Sequence, residues 1–380
     1  MLFRRIAVNI AFFVNGFVFA NWVARLPRIQ ELFNADDGTI GLVLLSSAIG
    51  AVGAMPFAGW AIHKLGSRGI TIFSASLYCV LVPAISIVPN ITSLIALYFF
   101  MGIATGILDV AMNAQAILVE QEYRRSIITS FHAFFSIGMM IGAAVAALFT
   151  NLKVDLLNHL SIVSGISLVA IIWMQKNLVH DSPDPALQHD GPAFRLPNKS
   201  LVSIGIITFC GMIGEGALSD WSVNYMENIA LASKAFAPLG LSAFATAMTI
   251  GRIFGDRVRT KYGDKKMIVS GGLLSILGLT LAVMFALPSV TIVGFFLVGT
   301  GLSSIVPIAY SIAGNVKGLP AGVGIAMVTT VGYAGFLFGP PVIGFIADWQ
   351  TLRIALSLVT LLFIIMTILG SRYDPMTRQD

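Results

Sequence analysis

The chain has 380 residues, of which 57% are hydrophobic and only 11% are charged, and its formal net charge at pH 7 is +5. Because a soluble domain carries roughly 25% charged residues, these proportions exclude an ordinary water-soluble protein. The mean hydropathy of +0.88 likewise indicates an integral membrane protein. The basic residues fall in short stretches between apolar segments, which is typical of membrane topology and not of a nucleic-acid-binding surface.

Breaks at charges, prolines and glycine clusters divide the chain into about twelve apolar segments. They lie near 4–26, 38–63, 69–88, 91–119, 126–150, 156–177, 200–227, 236–258, 266–286, 289–315, 320–347 and 352–371. Their length predicts transmembrane α-helices, since the strands of a membrane barrel would be short and alternating. Arg4 and Arg5 precede the first segment as in a signal peptide, but the segment stays apolar too long, so we expect a retained helix.

The distribution of lysine and arginine predicts the orientation of the chain. If the N-terminus is cytoplasmic, 18 of the 23 basic residues lie inside, and the five outside are Arg25, Arg28, Lys153, Lys234 and Arg353. The positive-inside rule therefore predicts that both termini face the cytoplasm.

The sequence also predicts two halves that repeat each other. A polar, proline-containing stretch at 179–199 reads as a cytoplasmic linker between a six-helix bundle at 1–178 and a second bundle at 200–380. A shift of 197 residues aligns Gly66 with Gly263, Gly102 with Gly299, Gly138 with Gly335 and Gly142 with Gly339, and a shift of 199 aligns Asn21-Trp22 with Asp220-Trp221. Two such repeats facing one another are the architecture of a transporter that rocks its halves around a central site.

Several motifs resemble those of the major facilitator superfamily. Residues 59–68, Gly-Trp-Ala-Ile-His-Lys-Leu-Gly-Ser-Arg, look like its loop motif between helices two and three, with His63 in place of the usual acidic residue. The motifs at 109–115, 131–136, 215–222 and 339–344 are more specific and resemble the fucose-permease-like branch, which includes bacterial sugar and rhizopine transporters. The resemblance covers nearly the whole chain. It implies an all-α membrane protein of twelve transmembrane helices in two pseudo-symmetric six-helix bundles, a monomer in the bacterial inner membrane.

The same resemblance implies candidate binding and coupling residues. In this branch, proton-coupled sugar uptake relies on one acidic residue in the first helix and another in the fourth. Asp109 matches the second acid, and Asn113 matches a polar position one turn later. The first acid is absent, and Asn15 and Asn21 are the strongly polar residues in the body of segment one. We expect these four side chains to bind a small polar solute and Asp109 to carry the proton.

Carboxylates inside the apolar segments are functional candidates by default, because a charge at the centre of a bilayer costs at least roughly 3 kcal/mol. Asp109 and Asn113 share a helix face at spacing i, i+4, although hydrogen bonds to neighbouring helices would also explain a buried aspartate. Glu215, near the middle of segment seven, is predicted to face the cavity in a coupling and binding role, with close packing at its flanking glycines as the alternative. Asp220 is predicted to be structural.

Further polar residues suit proton relay and gating. His132 has an unperturbed pKa of about 6.5 that suits a relay, while a hydrogen bond to another helix is the alternative. Arg252 and Asp256, one turn apart in segment eight, suit a cytoplasmic latch that forms in one conformation only, as against interfacial anchoring. We assign the loop residues His63, Lys64 and Arg68 to the same gating region. Arg25 is predicted to extend to the interface, with binding of an anionic group as the alternative.

Three aromatic residues have polar neighbours and are candidates for stacking on a sugar ring, namely Trp22, Trp221 and Tyr310. Pro307 lies on the same segment as Tyr310, where a proline can leave backbone carbonyls open to a cavity. Most other aromatic residues are expected to pack against lipid or other helices.

The leading hypothesis is a proton-coupled secondary active transporter that imports a sugar or sugar-like polyol by alternating access, with lipid, protons and a small molecule as its partners. The alternative is a proton-driven exporter of drugs or metabolites, disfavoured because segment five has Gly138 and Gly142 but no proline following them. An enzyme is not indicated, because the sequence has no His-Glu-x-x-His helix, nucleophile elbow or phosphate loop. The two cysteines, Cys79 and Cys210, lie in apolar segments, so no disulfide, metal or cofactor site is predicted.

Overall fold

The computed structural model describes residues 1–124, 127–180, 201–316 and 321–373, apart from the side chains at 63, 129, 256, 321–323 and 326. Within these ranges the chain forms fourteen α-helices and one short 3₁₀ helix, Val82–Ser86. The α-helices are α1 (Leu2–Val23), α2 (Leu26–Phe33), α3 (Asp37–Leu65), α4 (Ser67–Leu81), α5 (Ile91–Tyr123), α6 (Ile128–Asn151), α7 (Leu156–Gln175), α8 (Val202–Asn228), α9 (Pro238–Tyr262), α10 (Asp264–Phe285), α11 (Pro288–Leu302), α12 (Ile305–Gly314), α13 (Ala321–Trp349) and α14 (Leu352–Arg372). Nearly all of the predicted linker at 179–199 lies outside the described residues.

Each predicted apolar segment corresponds to one helix or to a helix that is broken once, and α2 lies almost wholly between predicted segments one and two, where no helix was predicted. The breaks separate α1 from α2, α4 from the 3₁₀ helix, and α11 from α12. Pro27, Pro83 and Pro307 each lie in the first turn after the break, where a missing backbone N–H removes no hydrogen bond from that helix. A proline therefore marks the start of the helix after each of these three breaks.

Eleven spans in the described part of the chain are long and apolar enough to cross a membrane, with α11 and α12 forming one span. The twelfth predicted segment is α9, a continuous helix of 25 residues. It falls short in apolar character because its second half carries Arg252, Arg257, Arg259 and Lys261. The predicted all-α membrane architecture is confirmed.

The described helices form two compact units. The first contains α1–α7 and the segment Ser233–Ser242, and the second contains α8 and the described residues from Ala243 onward. In the first unit, α1 packs on α6, α3 on α5, and α4 on α5 and α7. In the second, α8 packs on α13, and α10 on α11 and α14. Corresponding helices therefore pack in corresponding pairs. The segment at 233–242 groups with the first unit.

Two glycine contacts show that the halves repeat each other at atomic detail. A Cβ added to Gly102 would lie 1.9 Å from the backbone oxygen of Ser47, and one added to Gly299 would lie 2.5 Å from that of Phe244. Both members of the second contact are 197 residues beyond those of the first. Gly66 and Gly263 also correspond, since they begin α4 and α10 with φ angles of 79° and 80°, a conformation that favours glycine.

Candidate functional site

Asp109 and Asn113 form a local polar pair on one face of α5. The amide nitrogen of Asn113 donates to the backbone oxygen of Asp109 at 2.8 Å and to its carboxylate at 3.3 Å. Both side chains are half-buried. Among the described residues, no cation forms a salt bridge with Asp109. The carboxylate therefore lies within a membrane span with an amide, and not a charged group, as its partner.

Asn15 places a third polar side chain of the first unit on α1, at the height of this pair. Its amide nitrogen lies 3.9 Å from the sulfur of Met112, one residue before Asn113 on α5, and the side chain is 8% exposed. Two amides and one carboxylate therefore lie at the same level of the first unit, on adjacent helices. Such groups can both donate hydrogen bonds to solute hydroxyls and accept them.

Asn21 contacts another helix and not this group. Its side-chain oxygen lies 2.8 Å from Nε2 of His159 on α7, and its amide nitrogen donates to the backbone oxygen of Phe17. Both Asn21 and His159 are fully buried, and Nδ1 of His159 has no partner among the described residues. The predicted solute contact of Asn21 is thus occupied by a helix–helix hydrogen bond in this structure. Sequence reasoning did not select His159, although a histidine within an apolar segment was a visible signal.

The two candidate tryptophans pack inside their own units. Trp22 donates from Nε1 to the hydroxyl of Tyr78 at 2.7 Å and meets the ring of Tyr98 edge-on at 5.1 Å. Trp221 is fully buried, and its Nε1 has no acceptor among the described residues. Neither ring exposes a face on which a sugar could stack in this conformation. Tyr310 is half-buried in α12 and stays a candidate.

The intramembrane charges of the second unit include an ion pair that was not predicted. Glu215 on α8 accepts a hydrogen bond from Arg252 on α9 at 2.9 Å, and these side chains are 18% and 13% exposed. Arg252 was predicted to form a latch with Asp256, whose side chain lies outside the described part of the structure. Asp220 is half-buried with no hydrogen-bond or ion-pair partner among the described residues. Glu215 is thus the compensated acid, and Asp220 is the uncompensated one.

The remaining gating and relay candidates lie near helix ends. The ring of His132 meets that of Phe12 edge-on at 5.0 Å, which joins α6 to α1. Lys64 places Nζ 4.6 Å from the ring centre of Trp60 in the preceding turn. Arg68 donates to the backbone oxygen of Gln175 at 2.7 and 3.1 Å and so ties α4 to the end of α7. The side chain of His63 lies outside the described part.

Sequence reasoning gave no role to two side chains that tie helix ends together. Gln115 donates from Nε2 to Ser67 Oγ at 2.7 Å and accepts from the backbone N–H of Val179 at 2.9 Å. Glu120 accepts from the backbone N–H groups of Ile127 and Ile128 at 2.6 and 3.0 Å, which satisfies the start of α6. Within the described residues, no cluster of three or more His, Cys, Asp or Glu side chains could hold a metal ion.

Comparison with known proteins agrees with this architecture. The family model described as Major Facilitator Superfamily matches residues 8–228 and 204–379. The chain is 35% identical over 362 residues to an uncharacterized MFS-type transporter of Yersinia pestis, covering 95% of this chain and 93% of that protein. It is 31% identical over 368 residues to the membrane protein MosC of Rhizobium meliloti, covering 97% and 89% of the two chains.

Solved structures show the same fold. The crystal structure of the nucleoside transporter NupG matches with a TM-score of 0.76 at 15% identity, covering 98% of this chain and 100% of that one. The structure of a NupG mutant matches with a TM-score of 0.78 at 13% identity, covering 99% of each chain. These homologues and structural neighbours are transporters and not enzymes. The chain is therefore a multi-pass membrane transporter that belongs to the Major Facilitator Superfamily.

Proposed function

We propose that this transporter imports a small polar solute, a sugar or sugar-like polyol, together with protons across a bacterial inner membrane. Asp109 carries the proposal, because it is an intramembrane carboxylate with an amide partner and no salt bridge among the described residues. Glu215 differs, because Arg252 compensates its charge. Ionisable residues inside membrane spans often mark proton pathways, and of the two acids predicted to couple transport, Asp109 is the one without a cation among the described residues.

The polar groups around Asp109 support the substrate class. Asn15 and Asn113 supply amides on α1 and α5 that can bind hydroxyl groups, and the carboxylate adds an acceptor. The resemblance to the fucose-permease-like branch favours sugars. Since NupG transports nucleosides, which contain a sugar, nucleosides also belong among the solutes to be tried.

Uptake into proteoliposomes under an imposed pH gradient tests the proposal. We expect one class among labelled sugars, polyols and nucleosides to accumulate when the gradient directs protons the same way as the solute, and to equilibrate when a protonophore is added. Accumulation that requires protons to move the opposite way would identify the chain as an exporter and contradict the proposed direction. Accumulation unaffected by the protonophore would contradict proton coupling.

The matched variants are Asp109→Asn and Asp348→Asn. Asp348 is exposed near the end of α13, so the same chemical change there should leave accumulation unchanged. Asp109→Asn should abolish accumulation, because an amide cannot release a proton. Full accumulation by Asp109→Asn would remove Asp109 from the coupling mechanism.

A further inference from the structure

A cleft of about 860 Å³ lies at the end of the first unit where α2 begins and α6 ends. Its charged lining consists of Arg25, Arg28, Lys153, Lys234, Glu31 and Asp155. Four cations and two acids give this cationic cleft a net charge of +2. Its volume lies within the range of roughly 300–1,000 Å³ that is typical of small-molecule sites.

Topology does not account for so many cations in one place. The four basic residues of the cationic cleft are four of the five that the predicted orientation places outside the cell. Basic residues are generally depleted on that side of a membrane protein. The fifth, Arg353, belongs to the second unit and donates to the backbone oxygens of Val283 and Met284. Clustering of the other four basic residues in one cleft therefore indicates a function of the cleft itself.

The acids of the cationic cleft already have hydrogen-bond partners. Glu31 forms ion pairs with both Arg28 and Lys234, so a single negative charge faces two positive charges. Asp155 caps the start of α7 and accepts a hydrogen bond from the backbone N–H of Asn158 at 2.9 Å, which lowers the pKa of Asp155 and keeps it ionised at neutral pH. The ammonium group of Lys153 has no hydrogen-bond or ion-pair partner among the described residues. The lining thus retains an excess of positive charge.

Arg25 forms a fixed wall of the cationic cleft. It is only 5% exposed, and its guanidinium donates to Thr150 Oγ1 at 3.0 Å and to the backbone oxygen of Val154 at 3.1 Å. These two neutral oxygens hold the guanidinium in place. Arg25 therefore adds positive charge from behind the lining, and Arg28, Lys153 and Lys234 are the accessible cations that an oxyanion can reach.

We infer that the cationic cleft binds a small molecule bearing a carboxylate or phosphate group. The predicted orientation places it on the extracellular side, where a solute or a lipid headgroup can reach it. The inference goes beyond the proposed uptake function, because anion binding here does not involve Asp109. It makes the cleft a second ligand site of this transporter.

Calorimetric titration of the full-length protein in phosphatidylcholine nanodiscs tests the site. The probes are glucuronate and inorganic phosphate, with glucose as the neutral counterpart of glucuronate. We expect saturable binding of at least one of the two anions at low ionic strength, weakening as salt is added, and no binding of glucose. Absence of binding by both anions, or equal binding of glucose, would overturn the inference unless the lipid arm below shows specific retention.

The test uses the double variant Arg28→Gln/Lys153→Gln, with the single variant Arg353→Gln as its control. The first should lower affinity for the bound anion about tenfold or more, while Arg353→Gln, which removes a charge predicted to lie on the same side but outside the cleft, should leave it unchanged. If the double variant fails to fold, Lys153→Gln alone serves, because that side chain is exposed. Asp109→Asn should bind the anion like the wild type, so failure of proton coupling and failure of this site are distinguishable.

A second arm uses nanodiscs that contain phosphatidylglycerol. If a lipid headgroup is the natural occupant, the wild type should retain phosphatidylglycerol through purification, and the double variant should lose it. If a soluble solute is the occupant, retention should be equal in the two proteins and the titrations should differ. Equal lipid retention together with equal titrations would contradict the inference.

Discussion

Asn21 and His159 illustrate how polar side chains hold α1 against α7. The two are fully buried and joined at 2.8 Å, and no other partner of the histidine ring nitrogens is present among the described residues. Replacement of Asn21 by leucine would leave both ring nitrogens buried without a partner. We expect a loss of roughly 1–3 kcal/mol in the free energy of unfolding, because an unsatisfied buried polar group costs about that much.

A double-mutant cycle in detergent measures this coupling. Asn21→Leu/His159→Leu should be more stable than the sum of the two single losses predicts, because removing both groups leaves neither unsatisfied. Strictly additive losses would show that the contact contributes nothing to stability.

At the same scale, the sequence allowed the local pair to be predicted but not the long-range pairs. Asp109 and Asn113 were found because spacing i, i+4 fixes a shared helix face. The contact between Glu215 and Arg252 joins residues 37 positions apart on different helices, and periodicity within one helix does not say which helix lies opposite. The same reason explains why His159 and Gln115 received no role.

At the scale of the helices, glycine positions control how closely α3 and α5 pack. A Cβ on Gly102 would lie 1.9 Å from the backbone oxygen of Ser47, whereas one on Gly53 would have nothing within 4 Å. Gly102→Ala should force the two helices apart at a cost of roughly 1–3 kcal/mol. Gly53→Ala should be neutral or stabilising, because alanine favours helix over glycine by about 1 kcal/mol.

Thermal unfolding of the two variants provides the measurement. We expect a lower melting temperature for Gly102→Ala but not for Gly53→Ala, and for the corresponding Gly299→Ala we expect a loss similar to that of Gly102→Ala. Equal melting temperatures for Gly53→Ala and Gly102→Ala would contradict close packing at this contact.

Most helix bounds followed from hydropathy, since lipid-facing helices must be long and apolar. The short helix α2 and the breaks within two other segments were not predicted, although Pro27, Pro83 and Pro307 mark them. A proline is compatible with either a bend or the first turn of a new helix, and packing decides between them. The prolines inside α3 and α13 show the other outcome, because those helices continue.

At the scale of the whole molecule, the repeat was predicted from glycine spacing and is present in the packing of each unit. Orientation stays a prediction from the positive-inside rule. Labelling of single cysteines in a background without Cys79 and Cys210 tests it, with Lys153→Cys and Lys266→Cys as the paired positions. Both lysines are exposed. An impermeant maleimide should label Lys153→Cys in intact spheroplasts and Lys266→Cys only after lysis, and the reverse pattern would contradict the orientation.

Proton coupling at Asp109 is the central claim, and comparison of exchange with accumulation in the Asp109→Asn variant tests it most directly. A permanently neutral amide mimics the protonated acid, so the loaded carrier should still move in both directions. We predict that Asp109→Asn vesicles exchange labelled for unlabelled solute at a rate near that of the wild type but do not accumulate solute under a pH gradient. Loss of both activities would indicate a structural role for Asp109, and retention of both would contradict the coupling mechanism.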